Sequence, residues 1–404
     1  MKNAREILKY IGPGLLVTVG FIDPGNWASN VAAGSSFGLN LLWVVLLSTI
    51  ILIVLQHNAA HLGIATGLCL AEATSIYLNK FLATVVLSSA MLATVSTAMA
   101  EILGGAIALE MLFKIPIKLG CLIILPFTIF FLFSNSYKKV ERWIIAFVSL
   151  IGLSFLIELF LVKVPVKDVV FGWIKPSIPS GSLIVVLSIL GAVVMPHNLF
   201  LHSEIIQSRQ WNTQDEKVIK HQLKFEFVDT LFSMLIGFLI NSSMIIIAHA
   251  TFYTKGIAVE SLPQAQQMLK PILGNFSATI FAFALLLSGI SSSITAAFTG
   301  GTIMAGFYRR PYNIEELPTK IGIIIPLVLA SIIILFISDP FKALIISQML
   351  LSLQLPITII LQIYLTSSKK VMGKFANSLA DKIILLIVAA LVIGLDVFLL
   401  ITSL

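Results

Sequence analysis

Apolar stretches of about 20 residues recur along almost the entire chain, and this feature restricts the possible folds most. A stretch of that length is what an α-helix needs to cross the hydrocarbon core of a bilayer, which is roughly 30 Å thick. Only 11% of the 404 residues are charged, whereas about a quarter are charged in a soluble domain. The sequence therefore predicts an all-α integral membrane protein, and its short connections leave no room for a soluble enzyme domain.

The apolar stretches predict eleven transmembrane helices in a single membrane domain of residues 1–404. They lie near 11–37, 40–63, 82–112, 116–134, 142–162, 182–206, 227–252, 272–298, 321–338, 341–366 and 382–403. The longest connections are predicted to be surface loops near 163–181, 207–226 and 366–382.

Basic residues are distributed unevenly between the two sides of the membrane. Of the 26 Lys and Arg residues, 18 fall in segments that are cytoplasmic if the N-terminus is inside. Such an excess is typical of cytoplasmic loops. The pattern predicts a multi-pass protein of the cell membrane with a cytoplasmic N-terminus and an external C-terminus. Because topology explains the +7 charge, no nucleic-acid partner is indicated.

Two of the predicted spans are interrupted by proline beside polar residues. The first contains Asp23-Pro24-Gly25-Asn26, and the sixth contains Met195-Pro196-His197-Asn198. Proline removes a backbone donor, and a carboxylate at membrane depth usually has a functional role. A broken helix at the start of each half is typical of transporters with inverted repeats. We therefore expect five-helix repeats over 11–162 and 182–366, with helices 1 and 6 broken at the midplane and an extra helix at 382–403.

The two breaks offer a set of metal ligands. Asp23 supplies a carboxylate, Asn26 an amide oxygen, Met195 a thioether, and Ala192 a carbonyl one helical turn before Met195. A thioether adds little to Mg²⁺ or Ca²⁺ binding and suits Mn²⁺, Fe²⁺, Co²⁺ and Cd²⁺ progressively better. Methionine more often fills a core, so Asp23 carries most of this interpretation. The set favours a transition-metal substrate.

Further motifs match one known family. They are Gly12-Pro13-Gly14, Asp23-Pro24-Gly25-Asn26-Trp27, Leu62-Gly63-Ile64-Ala65-Thr66-Gly67, Val194-Met195-Pro196-His197-Asn198-Leu199, Leu201-His202-Ser203, Ser347-Gln348 and Gln354-Leu355-Pro356. With them the chain resembles the Nramp (natural resistance-associated macrophage protein) divalent metal transporters along essentially its whole length. The resemblance implies a leucine-transporter-like fold, import of Mn²⁺ or Fe²⁺ with a proton, and no cofactor. It also implies a metal held by Asp23, Asn26, Met195 and the Ala192 carbonyl, joined by Gln354 in some conformations.

The chain departs from that family at several acidic positions. Ala98, Met91 and Ala305 stand where the family has acidic residues. A proton wire needs titratable groups within hydrogen-bond reach of one another, so these losses interrupt the expected wire. The remaining candidates for a proton pathway are Asp23, Glu101, His197 and His202. His197 could instead cap carbonyls freed at the break, and His202 could be a neutral histidine that lines the pathway.

The sequence leaves several functions open, and we do not expect an enzyme. An intramembrane metalloenzyme is the weakest option, because no His-Glu-x-x-His pattern or Ser-His pair at a plausible spacing supports it. The leading hypothesis is a secondary transporter that imports Mn²⁺ or Fe²⁺, and also Co²⁺ or Cd²⁺, by alternating access with proton symport. An alternative is an Nramp-related uniporter or a carrier of a harder ion. A sodium-coupled symporter of organic solutes fits less well, because Asp23 would repel a substrate carboxylate. The sequence does not determine the oligomeric state.

Two further pairs of residues carry less weight. His57 and His61 share one helix face near the cytoplasmic end of the second span, which favours an interfacial role. Cys69 and Cys121 are far apart, so they indicate neither a disulfide nor a multi-cysteine metal site.

Overall fold

A computed structural model of the protein describes residues 23–134, 152–208 and 215–403. Throughout these residues the chain forms helices joined by turns and contains no strand. The main helices are α1 Pro24–Phe37, α2 Leu42–Thr66, α3 Leu70–Tyr77, α4 Lys80–Phe113, α5 Ile117–Phe133, α6 Gly152–Leu161, α7 Val166–Ile174, α8 Leu183–Val194, α9 Pro196–Ser208, α10 Glu216–Thr251, α11 Ser277–Phe307, α12 Leu317–Leu335, α13 Pro340–Thr366 and α14 Leu379–Ser403. Short helical turns connect α10 to α11 and α13 to α14.

Eight helical segments in the described part of the chain are long and apolar enough to cross a membrane. They are Leu42–Thr66, Lys80–Phe113, Leu183–Gln207, Glu216–Lys255, Gly274–Phe307, Leu317–Leu335, Pro340–Thr366 and Leu379–Thr402. The shorter apolar helices α5 and α6 lie at the predicted fourth and fifth spans. The all-α membrane fold is thus confirmed, and the count of eleven spans stays a prediction. The motif Gly12-Pro13-Gly14, residues 11–22 of the first span and 142–151 of the fifth lie outside the described residues.

All three predicted loops are partly helical, the third of them through a short helix at Lys369–Met372 and the start of α14. Helix α7 lies within 163–181, and α10 begins at Glu216 rather than near 227. The Asp215 side chain caps α10 by accepting from the backbone N–H of Lys217 at 2.8 Å, as expected of an N-cap aspartate. The first turns of α10 are polar, so a search for apolar stretches could not detect them.

Helix α1 lies in the interior of the bundle, between α4, α8, α10 and α13. Trp27 anchors it, since its ring centroid is 4.8 Å from that of Phe281 and 5.9 Å from that of Phe155. On the other side, Pro24 packs directly against Gly104 of α4, where a methyl group would overlap the proline ring. The start of α1 is therefore held in place by close packing.

Candidate metal-binding site

The first break is built by the residues that begin α1. Asp23 has an extended backbone, with φ −87° and ψ 161°, which is the conformation favoured before proline. Pro24 then occupies the first helical turn, where its missing N–H costs nothing. The Asp23 carboxylate caps the helix by accepting from the Asn26 backbone N–H at 2.6 Å. The sequence thus fixes a carboxylate at a helix N-terminus inside the membrane domain.

The second break has a different local cause. In a continuous helix the Ala192 carbonyl would accept from the residue four positions later, which is Pro196 and has no N–H. Met195 ends α8 in the left-handed conformation with φ 47°, and its N–H bonds the Gly191 carbonyl at 2.9 Å. Helix α9 starts at the next residue. The Ala192 carbonyl is therefore free to bind a group from elsewhere.

The Asn26 side chain connects the start of α1 to the break between α8 and α9. Its side-chain amide donates to the Asp23 carboxylate at 2.9 Å and to the Ala192 carbonyl at 3.1 Å. The Met195 sulfur, three residues beyond Ala192, accepts from the Asn198 amide at 3.0 Å. All four predicted ligand residues are buried, with exposed fractions between 0% and 4%. The structure therefore brings carboxylate, amide and carbonyl into direct contact, while the thioether contacts Asn198 at the break.

Helix α13 covers this site with Gln348. A methyl group at Gly25 would overlap the Gln348 side-chain amide, so this amide lies directly on the first turn of α1. Gln354 lies farther along α13, where its amide donates to Ser89 at 3.1 Å and its oxygen accepts from Thr358 at 3.0 Å. Its role as a ligand stays a prediction.

Two of the predicted proton-pathway residues flank the site. Glu101 of α4 is 1% exposed, interacts with Ser292 of α11 and lies within electrostatic reach of Asp23. His197, in the first turn of α9, is also 1% exposed. Its Nδ1 lies 3.3 Å from the Thr97 hydroxyl.

The third predicted residue, His202, belongs to a buried polar network between α2, α9 and α10. Its Nδ1 lies 3.2 Å from the Gln56 amide, and its Nε2 lies 3.6 Å from the Glu226 carboxylate. The other carboxylate oxygen of Glu226 lies 2.6 Å from Nδ1 of His57. Thr230 donates a further hydrogen bond to Glu226 at 2.6 Å.

Sequence reasoning missed Glu226 and gave Gln348 no separate role. Glu226 falls in a stretch that looks like a polar loop, so its burial between two histidines is a tertiary effect. Gln348 was visible only as part of the Ser347-Gln348 motif. Its close contact with Gly191 on a neighbouring helix cannot be seen in the sequence. His57 is part of this network and not only an interfacial residue.

A broken helix, α8–α9, that contacts the buried start of α1 inside an all-α membrane bundle defines a multi-pass transporter of the leucine-transporter-like class. The chain belongs to the natural resistance-associated macrophage protein-like family, which it matches over residues 14–402.

Relatives and solved structures agree with that assignment. The chain is 39% identical to the divalent metal cation transporter MntH of Caldanaerobacter subterraneus, with 97% of this chain and 92% of the relative covered. It is similar to the manganese transporter of Eremococcus coleocola, with TM-score 0.80, 29% identity, and 98% and 86% coverage of the two chains. The nucleobase-cation-symport-1 family transporter Mhp1 shares the fold, at TM-score 0.62 and 17% identity, with 92% and 81% coverage.

Proposed function

We propose that the protein is a secondary transporter of the cell membrane that imports divalent transition metal ions, chiefly Mn²⁺ or Fe²⁺. The observation that carries this proposal is the Asn26 amide, which contacts both Asp23 and the Ala192 carbonyl and so joins the two breaks. The names of its relatives, a divalent metal cation transporter and a manganese transporter, support the same substrate class.

The chemistry of the site suits a dehydrated divalent cation. Asp23 supplies negative charge, while Asn26 and the Ala192 carbonyl supply neutral oxygen ligands. An entering ion would replace the hydrogen bonds that Asn26 now makes to both groups. The Met195 thioether favours Mn²⁺ and Fe²⁺ over Mg²⁺ and Ca²⁺. The Gln348 amide lies against Gly25, and we propose that its oxygen becomes a further ligand when an ion enters.

The breaks also provide a means of opening the site to either side. Helix α8 ends at Val194 and α9 starts at Pro196, so the two halves of the sixth span can tilt separately about Met195. In transporters of this class, the substrate stays near the midplane while one bundle rocks against the other. We infer that α1 and α9 move relative to α8 and α13 during import.

We further propose that a proton accompanies the metal ion, through the network around Glu226. This network runs from His202 through Glu226 to His57, whose side chain is 34% exposed. His57 lines a cavity of about 280 Å³ together with His61 and Asp381. Histidine pairs that share a carboxylate can pass a proton at neutral pH. The network supplies titratable groups that the chain lacks at Ala98, Met91 and Ala305.

Mn²⁺ uptake into proteoliposomes with a pH dye trapped inside tests both proposals. We expect Mn²⁺ to enter against a tenfold excess of Mg²⁺ (roughly 1.4 kcal/mol of discrimination) and the lumen to acidify. Asp23→Asn should abolish uptake, since it removes the anionic ligand. If wild type takes up Mn²⁺ and Asp23→Asn takes it up equally well, the proposed site is refuted.

Glu226→Gln separates metal transport from proton coupling. Because Glu226 lies on α10, outside the ligand set, this variant should still take up Mn²⁺ but without acidification. A suitable control is Glu216→Gln, which removes an exposed carboxylate from the start of the same helix. If wild-type uptake proceeds without acidification, the protein is a uniporter, and the proposed proton route is wrong.

A further inference from the structure

Cys69, Glu72 and Glu204 form a compact cluster at the other end of α9 from Met195. One ligand atom from each residue, the Cys69 sulfur and one oxygen of each glutamate, lies within 4.8 Å of the other two. The exposed fractions of the three residues are 1%, 7% and 9%. The Cys69 thiol and the Glu204 carboxylate therefore lie close together. Two elements distant in sequence, the start of α3 and the last turns of α9, thus converge on one point.

Helix capping explains only part of this arrangement. Cys69 caps α3, because its sulfur accepts from the Glu72 N–H at 3.5 Å and its own N–H donates to the Glu72 carboxylate at 2.9 Å. Glu204 has no part in that cap. One of its carboxylate oxygens is buried and has no hydrogen-bond partner among the described residues. A second carboxylate beside Glu72 is therefore unexplained by the local fold.

Two neighbouring polar groups are also unsatisfied. Gln207 donates its amide to Glu72 at 2.7 Å, while its amide oxygen is buried and has no partner in the described part of the chain. Tyr312 lies within electrostatic reach of Glu204, and its hydroxyl is also buried, with no hydrogen-bond partner within residues 23–134, 152–208 and 215–403. Buried polar groups in proteins are nearly always hydrogen-bonded, so three such atoms around one cluster point to a missing ligand.

The charge of the cluster indicates that the missing ligand is positively charged. Among the described residues, no Lys, Arg or His forms an ion pair with Glu72 or Glu204. Two carboxylates buried together without a cation repel each other and lose hydration. A bound divalent cation would neutralise both and provide the absent partner.

We propose that Cys69, Glu72 and Glu204 form a second divalent metal site, suited to transition metals such as Fe²⁺, Co²⁺, Zn²⁺ or Cd²⁺. Ligands bound about 2.0–2.3 Å from one such ion lie up to about 4.5 Å apart, close to the spacing seen here. The thiolate selects this class over Mg²⁺ and Ca²⁺.

The position of the cluster assigns the site a role in metal exit, which rests on the proposed import function. Glu204 follows Met195 by nine residues along α9, which corresponds to about 13 Å at 1.5 Å per residue. The charge distribution of the loops predicts that this end faces the cytoplasm. An ion that leaves the transport site along α9 would therefore meet Cys69 and Glu204 before it reaches the cytoplasm.

Co²⁺ titration of the purified full-length protein in detergent tests the site directly. Thiolate-bound Co²⁺ absorbs strongly in the near ultraviolet, and a thioether such as Met195 does not produce this band. We expect the band in wild type, in Asp23→Asn and in the control Cys121→Ser, whose sulfur contacts only the Ser331 carbonyl among the described polar groups. Cys69→Ser should abolish it. Glu204→Gln, which keeps the thiol and the α3 cap, should weaken Co²⁺ binding at least about tenfold.

The outcomes of this titration test the second metal site independently of the proposed import function. Absence of the band in wild type, or its survival in Cys69→Ser, would refute the second site. If Cys69→Ser does not fold, unchanged affinity in Glu204→Gln refutes it as well. If Asp23→Asn transports Mn²⁺ normally while the Cys69 band is present, the proposed transport site fails and the second site stands.

Discussion

At the scale of single residues, the site depends on side chains that already have hydrogen-bond partners. Asp23 caps α1, Asn26 bridges the two breaks, and the Met195 sulfur accepts from Asn198. These bonds hold the ligands in position before an ion arrives. Pre-positioned ligands lose little conformational entropy on binding, which favours a defined coordination geometry.

The contribution of the thioether to selectivity can be measured with Met195→Leu. Leucine keeps the volume of methionine but offers no sulfur, so we expect Mn²⁺ uptake to continue while Mg²⁺ competes roughly tenfold better, equivalent to about 1.4 kcal/mol. Met234→Leu makes the same replacement at a buried position of α10 outside the ligand set and should leave competition unchanged. Equal Mg²⁺ inhibition of wild type and Met195→Leu would exclude the sulfur as a ligand.

The sequence predicted these ligand residues because each lies within a local motif. Proline and its polar neighbours mark Asp23 and Met195 directly, and the Ala192 carbonyl lies one helical turn before Met195. Glu226 and Glu204 carry no comparable signal, since their partners lie on other helices. Contacts between distant elements follow from packing, which a single sequence does not reveal.

At the scale of helices, the site depends on a close approach between α8 and α13. A methyl group at Gly191 would overlap the backbone carbonyl of Gln348, so the two helices meet backbone to backbone there. Small residues allow this kind of contact between membrane helices. The contact places Gln348 between the two breaks.

Gly191→Ala should disturb this approach. A methyl group that overlaps backbone atoms has no room to relax, so we expect destabilisation by about 1–3 kcal/mol, a lower melting temperature and weaker Mn²⁺ uptake. Gly394→Ala in α14 is the matched control, because an added methyl group there meets no atom within 4 Å. It should leave the melting temperature unchanged or raise it, since alanine favours a helix. Equal melting temperatures for the two variants would contradict the close approach.

At the scale of the whole molecule, hydropathy predicted the all-α membrane fold. The long apolar helices among the described residues lie at predicted spans, whereas α3 and α7 lie outside them. Helix ends were predicted less well. Helix α10 begins about ten residues before its apolar stretch, because Asp215 caps a polar first segment. Hydropathy indicates the part of a helix that lies inside the bilayer and does not detect polar turns that extend beyond it.

The orientation in the membrane can be tested by labelling. Lys167→Cys should react with an impermeant maleimide added outside intact cells, whereas Lys374→Cys should react only after permeabilisation. Both lysines are exposed, and the native Cys69 and Cys121 are buried, so background labelling should be low. The reverse pattern would place the N-terminus outside and overturn the positive-inside argument.

The cap formed by Asp23 has a consequence for turnover. In the proposed transport site, the same carboxylate both holds the first turn of α1 and binds the cargo. An ion that draws the carboxylate away from the Asn26 N–H binds less tightly than it would to an unoccupied acid, because the helix competes for the same oxygens. That competition shortens the residence time of the ion. A carrier gains from this, since each cycle ends only when the ion dissociates.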